Sequence, residues 1–407
     1  MGMSIIERLA PENACCGCGA CENICPTNAL VLKPNHAGFL YPTIDAAKCI
    51  ECEKCINTCA YKKSNKYVSK EETYAAVSKN TDVKKSSSGG VFSSLAFNIL
   101  KDGGIVYGCT MTRTDNGFNP HHIRITRPED LYLLQGSKYV QSEIGLTYKE
   151  VIKDLTDNIA VLFSGTPCQI DGLYGFLGKD HSNLFTIDTI CHGVPNKDLF
   201  NRYIRHEENI KKAKITNYVF RDKKDGWKLY GRMDLQNSSG KRSVYFKPEE
   251  SSYYQLFLNR YTYRENCYTC PYAYKNRPGD ITIGDFWNID LIHPELFADK
   301  KSGIHCDNGV SVLVINSNKG QELMKRYGQD MELYSSEYNK VAEYNRQLLN
   351  PSEKPKDYEA FRSIMNNGYS EIEKWYQHKM MPIRIKRTIK RMIPSKLKKE
   401  IRKVWKR

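Results

Sequence analysis

Short apolar runs alternate with helical patterns along most of the chain. Four runs have the length and composition of buried strands, at residues 159–163, 184–190, 281–283 and 310–315. Two sets of apolar residues recur at helical spacing between them, at Val91, Leu95 and Ile99 and at Leu199, Tyr203 and Ile204. Because strands and helices alternate, we predict an α/β body built on a mixed, largely covered sheet.

Three regions differ in composition along the 407 residues. Residues 1–63 are rich in cysteine, residues 67–370 form a body of ordinary composition, and residues 379–407 are strongly basic. The lysine-rich stretch at residues 62–70 is the expected linker between the first two regions. Because 40% of the residues are hydrophobic, we expect a substantial buried core.

The positive charge is concentrated near the C-terminus. Of the net charge of +15, residues 379–407 supply +12, with thirteen Lys or Arg against Glu400 alone. The rest of the chain is therefore nearly balanced, at +3. A basic body would favour a polyanionic partner such as nucleic acid, whereas this distribution predicts a basic appendage.

The fifteen cysteines are expected to be reduced. The first ten residues lack the apolar stretch of a signal peptide, so the disulfides of a secreted protein are not expected. No segment approaches the roughly 18 consecutive apolar residues of a membrane-spanning helix. We therefore expect a cytoplasmic protein whose thiols are available to bind metal.

Eight of the cysteines follow the spacing of a two-cluster ferredoxin. The run C-x2-C-x2-C-x3-C occurs at residues 15–25 and again at residues 49–59. In such runs three closely spaced thiolates bind one [4Fe-4S] cluster, and the fourth reaches the neighbouring cluster. We therefore predict two sets of ligands, a first quartet of Cys15, Cys18, Cys21 and Cys59 and a second quartet of Cys49, Cys52, Cys55 and Cys25.

Zinc is the alternative for these cysteines, because it also uses C-x2-C pairs. A tetrahedral zinc ion needs only four ligands, however, and does not explain two interleaved runs. Gly17 and Gly19 would let backbone amides approach the cluster sulfides. Cys16 has no predicted ligand role and is expected to be a bystander. Residues 1–63 thus predict an α+β ferredoxin-like module that passes single electrons.

Four cysteines of the body stand in motif-like surroundings. Cys168 and Cys191 each follow a predicted strand, and strand ends are where ligands gather in an α/β sheet. Together with the C-x2-C pair Cys267 and Cys270, they would complete a third four-thiolate site, which we call the body quartet. Spacing alone leaves two alternatives open: buried cysteines that act as small hydrophobic residues, and half of a zinc site.

A loop of serines and glycines at residues 86–90 leads directly into the helical pattern that begins at Val91. Free amides at a helix start, preceded by Lys84 and Lys85, suit a phosphate or pyrophosphate group. The alternative is an ordinary serine cap of the helix. The loop matches neither the dinucleotide fingerprint G-x-G-x-x-G nor a P-loop.

Two further segments are candidates for ligand contact. Residues 136–139 include Lys138, and residues 279–287 predict a strand in which Gly284 would let another group approach closely. Each has a plainer alternative as a turn or a strand end.

In their order along the chain, these motifs resemble the beta subunits of coenzyme F420 hydrogenases and dehydrogenases. The resemblance includes a bacterial branch that carries a fused ferredoxin and is often encoded with surface-polysaccharide genes. It extends from Cys15 to about Val314. The motifs that carry it are Ser88-Gly89-Gly90, Gly136-Ser137-Lys138-Tyr139, Thr166-Pro167-Cys168-Gln169, Cys191-His192-Gly193, Cys267-x2-Cys270 and Gly284-Asp285-Phe286.

The resemblance implies a reductase in which the body quartet holds a third [4Fe-4S] cluster beside FAD. The implied cofactor-binding residues are Ser88, Gly89, Gly90, Lys138, Gly284 and Asp285. A flavin joins two-electron chemistry to one-electron carriers, so it would connect the clusters to a substrate. Extra segments such as residues 220–227, which predict a hairpin turning at Asp225 and Gly226, argue against coenzyme F420.

The basic C-terminal segment has a helical pattern of its own. Apolar residues recur every three or four positions from Ile385 to Trp405, interrupted by Pro394, with Lys and Arg on the opposite side. This predicts a C-terminal basic amphipathic helix that lies on an anionic membrane surface. A solvated terminal helix that docks a partner, and a helix that contacts nucleic acid, are the alternatives.

Two functional hypotheses follow. The first is an iron-sulfur flavoprotein oxidoreductase that acts on a small organic substrate, in surface-polysaccharide synthesis if the genetic association holds. The second is an electron-transfer subunit that serves a partner reductase and has no substrate of its own. The sequence assigns no catalytic residue, no direction of electron flow and no role to Cys109 or Cys306.

Overall fold

The computed structural model describes residues 5–62, 67–79, 85–298 and 308–392, with side chains up to residue 381 in the last range. Lys84, Cys306, part of the expected linker and the tail from residue 393 lie outside the described residues. The strands are β1 (Leu30–Pro34), β2 (Leu40–Ile44), β3 (Glu72–Ser78), β4 (Ile105–Thr114), β5 (Gly117–Ile125), β6 (Val161–Gly165), β7 (Leu184–Thr189), β8 (Lys214–Val219), β9 (Gly231–Asn237), β10 (Gly240–Phe246), β11 (Ile281–Asp285), β12 (Ser311–Ile315) and β13 (Met331–Ser336).

Most of the helices are short. They are α1 (Ile5–Arg8), α2 (Ala20–Ile24), α3 (Lys54–Thr58), α4 (Val91–Lys101), α5 (Thr147–Thr156), α6 (Pro167–Leu177), α7 (Lys197–Lys211), α8 (Ser252–Leu258), α9 (Ile289–Ile292), α10 (Glu295–Ala298), α11 (Asn318–Tyr327), α12 (Tyr338–Tyr344), α13 (Tyr358–Ile364) and α14 (Tyr369–Met392).

The two cysteine runs of the N-terminal module have the same local structure. In each run the third cysteine lies in a five-residue helix, Cys21 in α2 and Cys55 in α3, and the fourth lies just beyond the helix end in extended conformation. Both helices follow a residue with positive φ, Gly19 or Glu53. Strands β1 and β2 form a separate antiparallel pair. The repeated spacing therefore produces a repeated backbone path.

The body is built on an eight-stranded mixed sheet. Its strand order is β13-β3-β12-β11-β7-β6-β4-β5, in which β4, β6, β7 and β11 are parallel and the other strands antiparallel to their neighbours. The four predicted strands correspond to β6, β7, β11 and β12, and the two helical patterns to α4 and α7. The prediction of a mixed sheet with strands and helices alternating is therefore confirmed.

The predicted hairpin at residues 220–227 is longer than its sequence suggests. Strands β8 and β9 pair antiparallel, but their register ends at Val219 and Arg232. The intervening chain makes a turn in which the Gly226 amide donates to the Lys223 carbonyl at 3.1 Å. Instead of a tight two-residue turn, an extended loop reaches the end of β11, a central strand of the large sheet.

Helix α14 runs through the boundaries predicted at residues 370 and 379. Ile372, Tyr376 and Met380 are buried in the same core as residues of α7 and α8, and Lys379 forms an ion pair with Asp357. The start of the basic segment thus belongs to a helix that packs on the body. Among the described residues, no helix combines the length and apolar character needed to cross a membrane.

We predict that the buried pair of Arg277 and Asp188 is a main support of the central strands. Both side chains are almost fully buried, and Arg277 also donates to the carbonyls of Tyr272 and Thr189. Arg277→Ala would leave a buried carboxylate without its cation, so we expect a loss of about 3–5 kcal/mol in the free energy of unfolding.

Urea unfolding of the anaerobically prepared protein measures this loss. The control is Arg127→Ala, which breaks a pair between the exposed Arg127 and Asp130 and should leave the free energy of unfolding nearly unchanged. Equal losses in the two variants would show that the buried pair has no special role.

Candidate functional site

Two cavities in the N-terminal module are each lined by one predicted quartet. The larger, of about 430 Å³, is lined by the first quartet and also by Cys16. The smaller, of about 360 Å³, is lined by the second quartet. The fourth cysteine of each run, Cys25 or Cys59, therefore lines the cavity of the other run, which is the exchange that the spacing predicts.

The chemistry of these cavities suits an iron-sulfur cluster. Burial raises the pKa of the Cys21 thiol, and the neighbouring Cys15 and Cys59 raise it further. Thiols that converge in this way ionise together only if a cationic centre compensates their charge, as iron does. Among the described residues, no three Cys, His or carboxylate groups have the spacing that a single metal ion requires. That these cysteines ligate clusters stays a prediction.

Two cysteines of the body quartet follow neighbouring strands, and the other two come from the short 3-10 helix Glu265–Thr269 and the residue after it. Cys168 lies in the first turn of α6, directly after β6, and Cys191 follows β7, the parallel neighbour of β6. Burial raises the pKa of the Cys267 thiol, and so does the proximity of Cys191 and Cys270. Cys168 is also close enough to Cys191 for their charges to interact. The expected convergence is therefore seen, whereas the third cluster stays a proposal.

The motif Thr166-Pro167-Cys168-Gln169 has a structural explanation as the start of helix α6. Thr166 and Gln169 form a reciprocal capping box, and Pro167 occupies the first helical turn. The Thr166 hydroxyl lies 3.2 Å from the Cys168 sulfur, and the Gln169 amide is held by the Ser142 hydroxyl at 3.0 Å. These contacts orient Cys168 toward its neighbours.

The serine and glycine loop is anchored to the edge of strands β3 and β12. A side chain at Gly89 would clash with the carbonyl of Ala76, and the Gly89 amide donates to the Ser311 hydroxyl at 2.9 Å. The Ser88 hydroxyl donates to the Val310 carbonyl at 2.7 Å. Gly90 has a φ of 88° immediately before α4. Packing thus explains Gly89 and the left-handed backbone conformation explains Gly90, and a role in binding FAD stays a prediction.

The extended loop after β8 joins the end of β11 to the serine and glycine loop. At the end of β11, Asp285 accepts a hydrogen bond from Arg221 at 2.6 Å and one from the Trp227 indole at 3.0 Å. Lys223 donates to the Ser88 carbonyl at 2.7 Å. Burial, and to a smaller extent the positive charge of nearby Arg221, lowers the pKa of Lys223 to about 8. The resemblance marked Asp285 but did not mark its basic partners, which come from a distant segment.

Lys138, a predicted FAD contact, has its ammonium bound by backbone carbonyls. Its ammonium donates to the carbonyls of Leu134 and Gln135 at 2.9 and 2.8 Å, and burial lowers its pKa to about 8. Ser137, one residue earlier, donates from its backbone to the Ser87 hydroxyl at 2.7 Å. The motif therefore reaches the loop through Ser137. Gly284 lies against Ile190, where a larger residue would clash.

Arg264 fastens the N-terminal module to the body. Its side chain is fully buried and donates to the carbonyls of Cys15 at 2.7 Å and Leu40 at 2.8 Å. Its guanidinium also lies 4.0 Å from the centre of the Tyr41 ring. Arg264 stands three residues before Cys267 in the chain. Its side chain therefore links the module to the segment that carries two cysteines of the body quartet.

Three family models match parts of this chain. The model of a 4Fe-4S dicluster domain matches residues 14–63. Two models of the coenzyme F420 hydrogenase/dehydrogenase beta subunit match the body, the N-terminal one at residues 73–146 and the C-terminal one at residues 159–340.

Two curated relatives are archaeal proteins. One, from Methanosarcina mazei, is named as a subunit of F(420)H(2) dehydrogenase and is 28% identical over 174 residues, which are 40% of this chain and 49% of the relative. An uncharacterized protein of Methanocaldococcus jannaschii is 25% identical over 208 residues, 44% of this chain and 57% of the relative. The chain thus spans about half the length of the curated relatives it matches.

A solved structure also matches. A chain of the F420-reducing [NiFe] hydrogenase complex from Methanosarcina barkeri aligns with 69% of this chain and 90% of its own length, at 16% identity and a TM-score of 0.43.

The exchange of the fourth cysteine can be tested with single variants. We expect Cys25→Ser to weaken the site of the second quartet, because Cys25 lines that cavity. Anaerobically reconstituted Cys25→Ser should therefore lose up to about four irons. Its remaining electron paramagnetic resonance spectrum should match that of Cys52→Ser. A match with Cys18→Ser instead would show that each run binds its own cluster.

Proposed function

The chain belongs to the family of coenzyme F420 hydrogenase/dehydrogenase beta subunits, and on this basis we propose that it is an iron-sulfur oxidoreductase subunit. In this proposal its N-terminal module exchanges electrons with a body site that holds a further [4Fe-4S] cluster and FAD. The observation that carries the proposal is the placement of the body quartet directly beside the first quartet. The Tyr148 hydroxyl lies 2.9 Å from the carbonyl of Cys18 and 2.7 Å from that of Gln169, so the start of α6, which carries Cys168, lies beside the first quartet.

The chemistry of the body site supports a redox role. Four half-buried cysteines, two of them just after β6 and β7, suit a cluster, and their proximity to the first cavity suits the transfer of single electrons. The loop at residues 86–90 and Asp285 would hold FAD at the same end of the sheet. FAD, when bound, supplies the conversion between one-electron and two-electron chemistry. The residues themselves would orient the group.

The proposed oxidoreductase would also have a substrate of its own. A small organic molecule, reduced or oxidised beside the flavin, fits the first hypothesis, and a step in surface-polysaccharide synthesis follows from the bacterial branch that the motifs resemble. The basic pair Arg221 and Lys223 near Asp285 would favour an anionic group on that molecule.

A second function is supported by the relatives. The Methanosarcina mazei relative is named as one subunit of a dehydrogenase. In this alternative the chain carries electrons to a partner reductase and has no substrate of its own. An electron donor or acceptor protein is a partner in both proposals.

Metal and flavin analysis of the purified protein separates these functions. We expect about twelve irons and bound FAD after anaerobic reconstitution, and about four fewer irons after Cys267→Ser combined with Cys270→Ser. The matched control, Cys109→Ser, changes a cysteine outside the three quartets and should keep about twelve irons.

The alternatives give different results in the same assay. About eight irons without FAD, unchanged by the double substitution, would contradict both the third cluster and the flavin. About twelve irons without FAD would favour the electron-transfer role.

We also propose that the basic segment binds an anionic membrane surface. Because Met380 is buried and Lys379 pairs with Asp357, removal of residues 393–407 leaves those packed contacts unchanged. We expect the full chain to float with vesicles that contain anionic lipid, and the truncated chain to float much less. Vesicles of neutral lipid are the control. Equal flotation of both chains with anionic vesicles would contradict this role.

A further inference from the structure

Three arginines of the body are buried, and one of them has no carboxylate partner among the described residues. Arg277 pairs with Asp188 at 2.9 Å, and Arg221 pairs with Asp285 at 2.6 Å. Arg264 is the most deeply buried of the three, yet its hydrogen bonds in the described part of the chain are all to uncharged oxygens. A buried charge without an opposite charge nearby is costly, so the surroundings of Arg264 call for an anion of another kind.

The groups that contact the Arg264 guanidinium orient it without neutralising its charge. It donates to the carbonyls of Cys15 at 2.7 Å and Leu40 at 2.8 Å, and it lies 3.4 Å from the amide oxygen of Gln141. The centre of the Tyr41 ring is 4.0 Å away. These contacts fix the plane of the guanidinium and replace part of its hydration, but each of the partners is uncharged.

The carboxylate nearest to Arg264 in the sequence is used elsewhere. Glu265 forms an ion pair with Lys354 and accepts a hydrogen bond from the Tyr358 hydroxyl at 3.0 Å. Loss of a proton does not remove the positive charge either, because the guanidinium of arginine stays protonated in proteins. Arg264 therefore brings a permanent positive charge into the interior.

This charge lies directly behind the wall of the first cavity. Cys15 and Gly17 both line that cavity, as do the other three thiols of the first quartet. Cys15 contacts the Arg264 guanidinium through its carbonyl, and a side chain at Gly17 would lie 3.1 Å from the guanidinium nitrogen. Cysteine binds an iron-sulfur cluster as a thiolate, so a cluster in this cavity would supply the negative charge that Arg264 lacks.

The second quartet has different electrostatic surroundings. Its Cys52 is exposed to solvent, and its cavity is lined by the charged residues Glu51, Glu53 and Lys54. Glu53 pairs with Arg8 at 2.6 Å, and 36% of the Arg8 side chain is exposed. Water and salt screen such charges far more than they screen a buried one. The two quartets of the module therefore differ in the field that acts on them.

We propose that Arg264 is the buried counter-ion of the cluster bound by the first quartet and that its charge raises the reduction potential of that cluster. Reduction adds one electron and hence one negative charge, which a fixed cation stabilises. No bond forms or breaks, and the guanidinium keeps its proton. The shift favours the transfer of an electron from the second quartet, where a one-electron donor can approach, toward the body. The inference rests on the predicted clusters of the module and needs neither the body cluster nor FAD.

Substitutions at Arg264 separate its charge from its hydrogen bonds. Arg264→Gln keeps N–H donors but removes the charge, so we expect the potential of the first-quartet cluster to fall. A change of roughly tenfold in the ratio of reduced to oxidised cluster corresponds to about 59 mV for one electron, and we expect at least this shift. Arg264→Lys keeps the charge and should retain most of the wild-type potential. The control Arg8→Gln removes a partly exposed charge beside the second quartet and should shift both potentials far less.

The experiment uses the full chain, anaerobically reconstituted and reduced stepwise with dithionite. Iron content and electron paramagnetic resonance spectra are measured for the wild type and the three variants. Comparison with Cys18→Ser and Cys52→Ser assigns each signal to the first or the second quartet. We expect the iron content of the wild type in all variants and a lowered potential only for the first-quartet cluster of Arg264→Gln. Because the charge is buried, this shift should persist at about 1 M salt, where the Debye length is about 3 Å.

Other results would overturn the role of the charge. An unchanged potential in Arg264→Gln would do so, and so would equal shifts in Arg264→Gln and Arg264→Lys, which would point to the carbonyl contacts instead. If Arg264→Gln loses about four irons, Arg264→Lys decides: retained iron and potential would support the counter-ion, and the same loss would refute it. About eight irons without FAD in the wild type would contradict the proposed function, whereas a lowered potential in Arg264→Gln would still support this inference.

Discussion

The buried guanidinium of Arg264 is the interaction on which the arrangement of the cysteines depends. It is fully buried, and it reaches from the body to two backbone carbonyls of the module, those of Cys15 and Leu40. Its own amide is held by the Val194 carbonyl at 2.9 Å, and its carbonyl accepts from the amide of Cys267. A planar guanidinium suits this task because it donates in several fixed directions at once.

Positive charge at this position also has an electrostatic consequence. Burial raises the pKa of the Cys15 thiol to about 11, while the nearby Arg264 opposes that rise. Arg264 also lowers the pKa of Cys267, against a larger effect of burial. Two groups of thiolates held close together repel each other, and a buried cation between them reduces this cost. The same side chain therefore positions both sites and favours their charged forms.

The fold places the two halves of the proposed redox site on different elements. Cys168 and Cys191 lie where β6 and β7 end, as ligands do in α/β sheets, and most of the predicted flavin residues lie at the same end of the sheet, where β3 and β11 end and β12 begins. The loop after β8 crosses to this end and ties Asp285 to Arg221. Phe39 of the module, Cys267 of the body quartet and Ile372 at the start of α14 belong to one hydrophobic core.

The sequence by itself determined several strands and helices of the body and the grouping of the module cysteines, because both follow from local spacing. The runs at residues 15–25 and 49–59 predicted which cavity each cysteine lines, and apolar periodicity located β6, β7, β11, β12, α4 and α7. Only the tertiary structure decided the packing of α6 on the module, the carbonyl contacts of Lys138 and the link between Arg221 and Asp285. These depend on contacts between residues far apart in the chain, such as Thr58 with Gly175 and Arg264 with Cys15, and spacing carries no information about such distances.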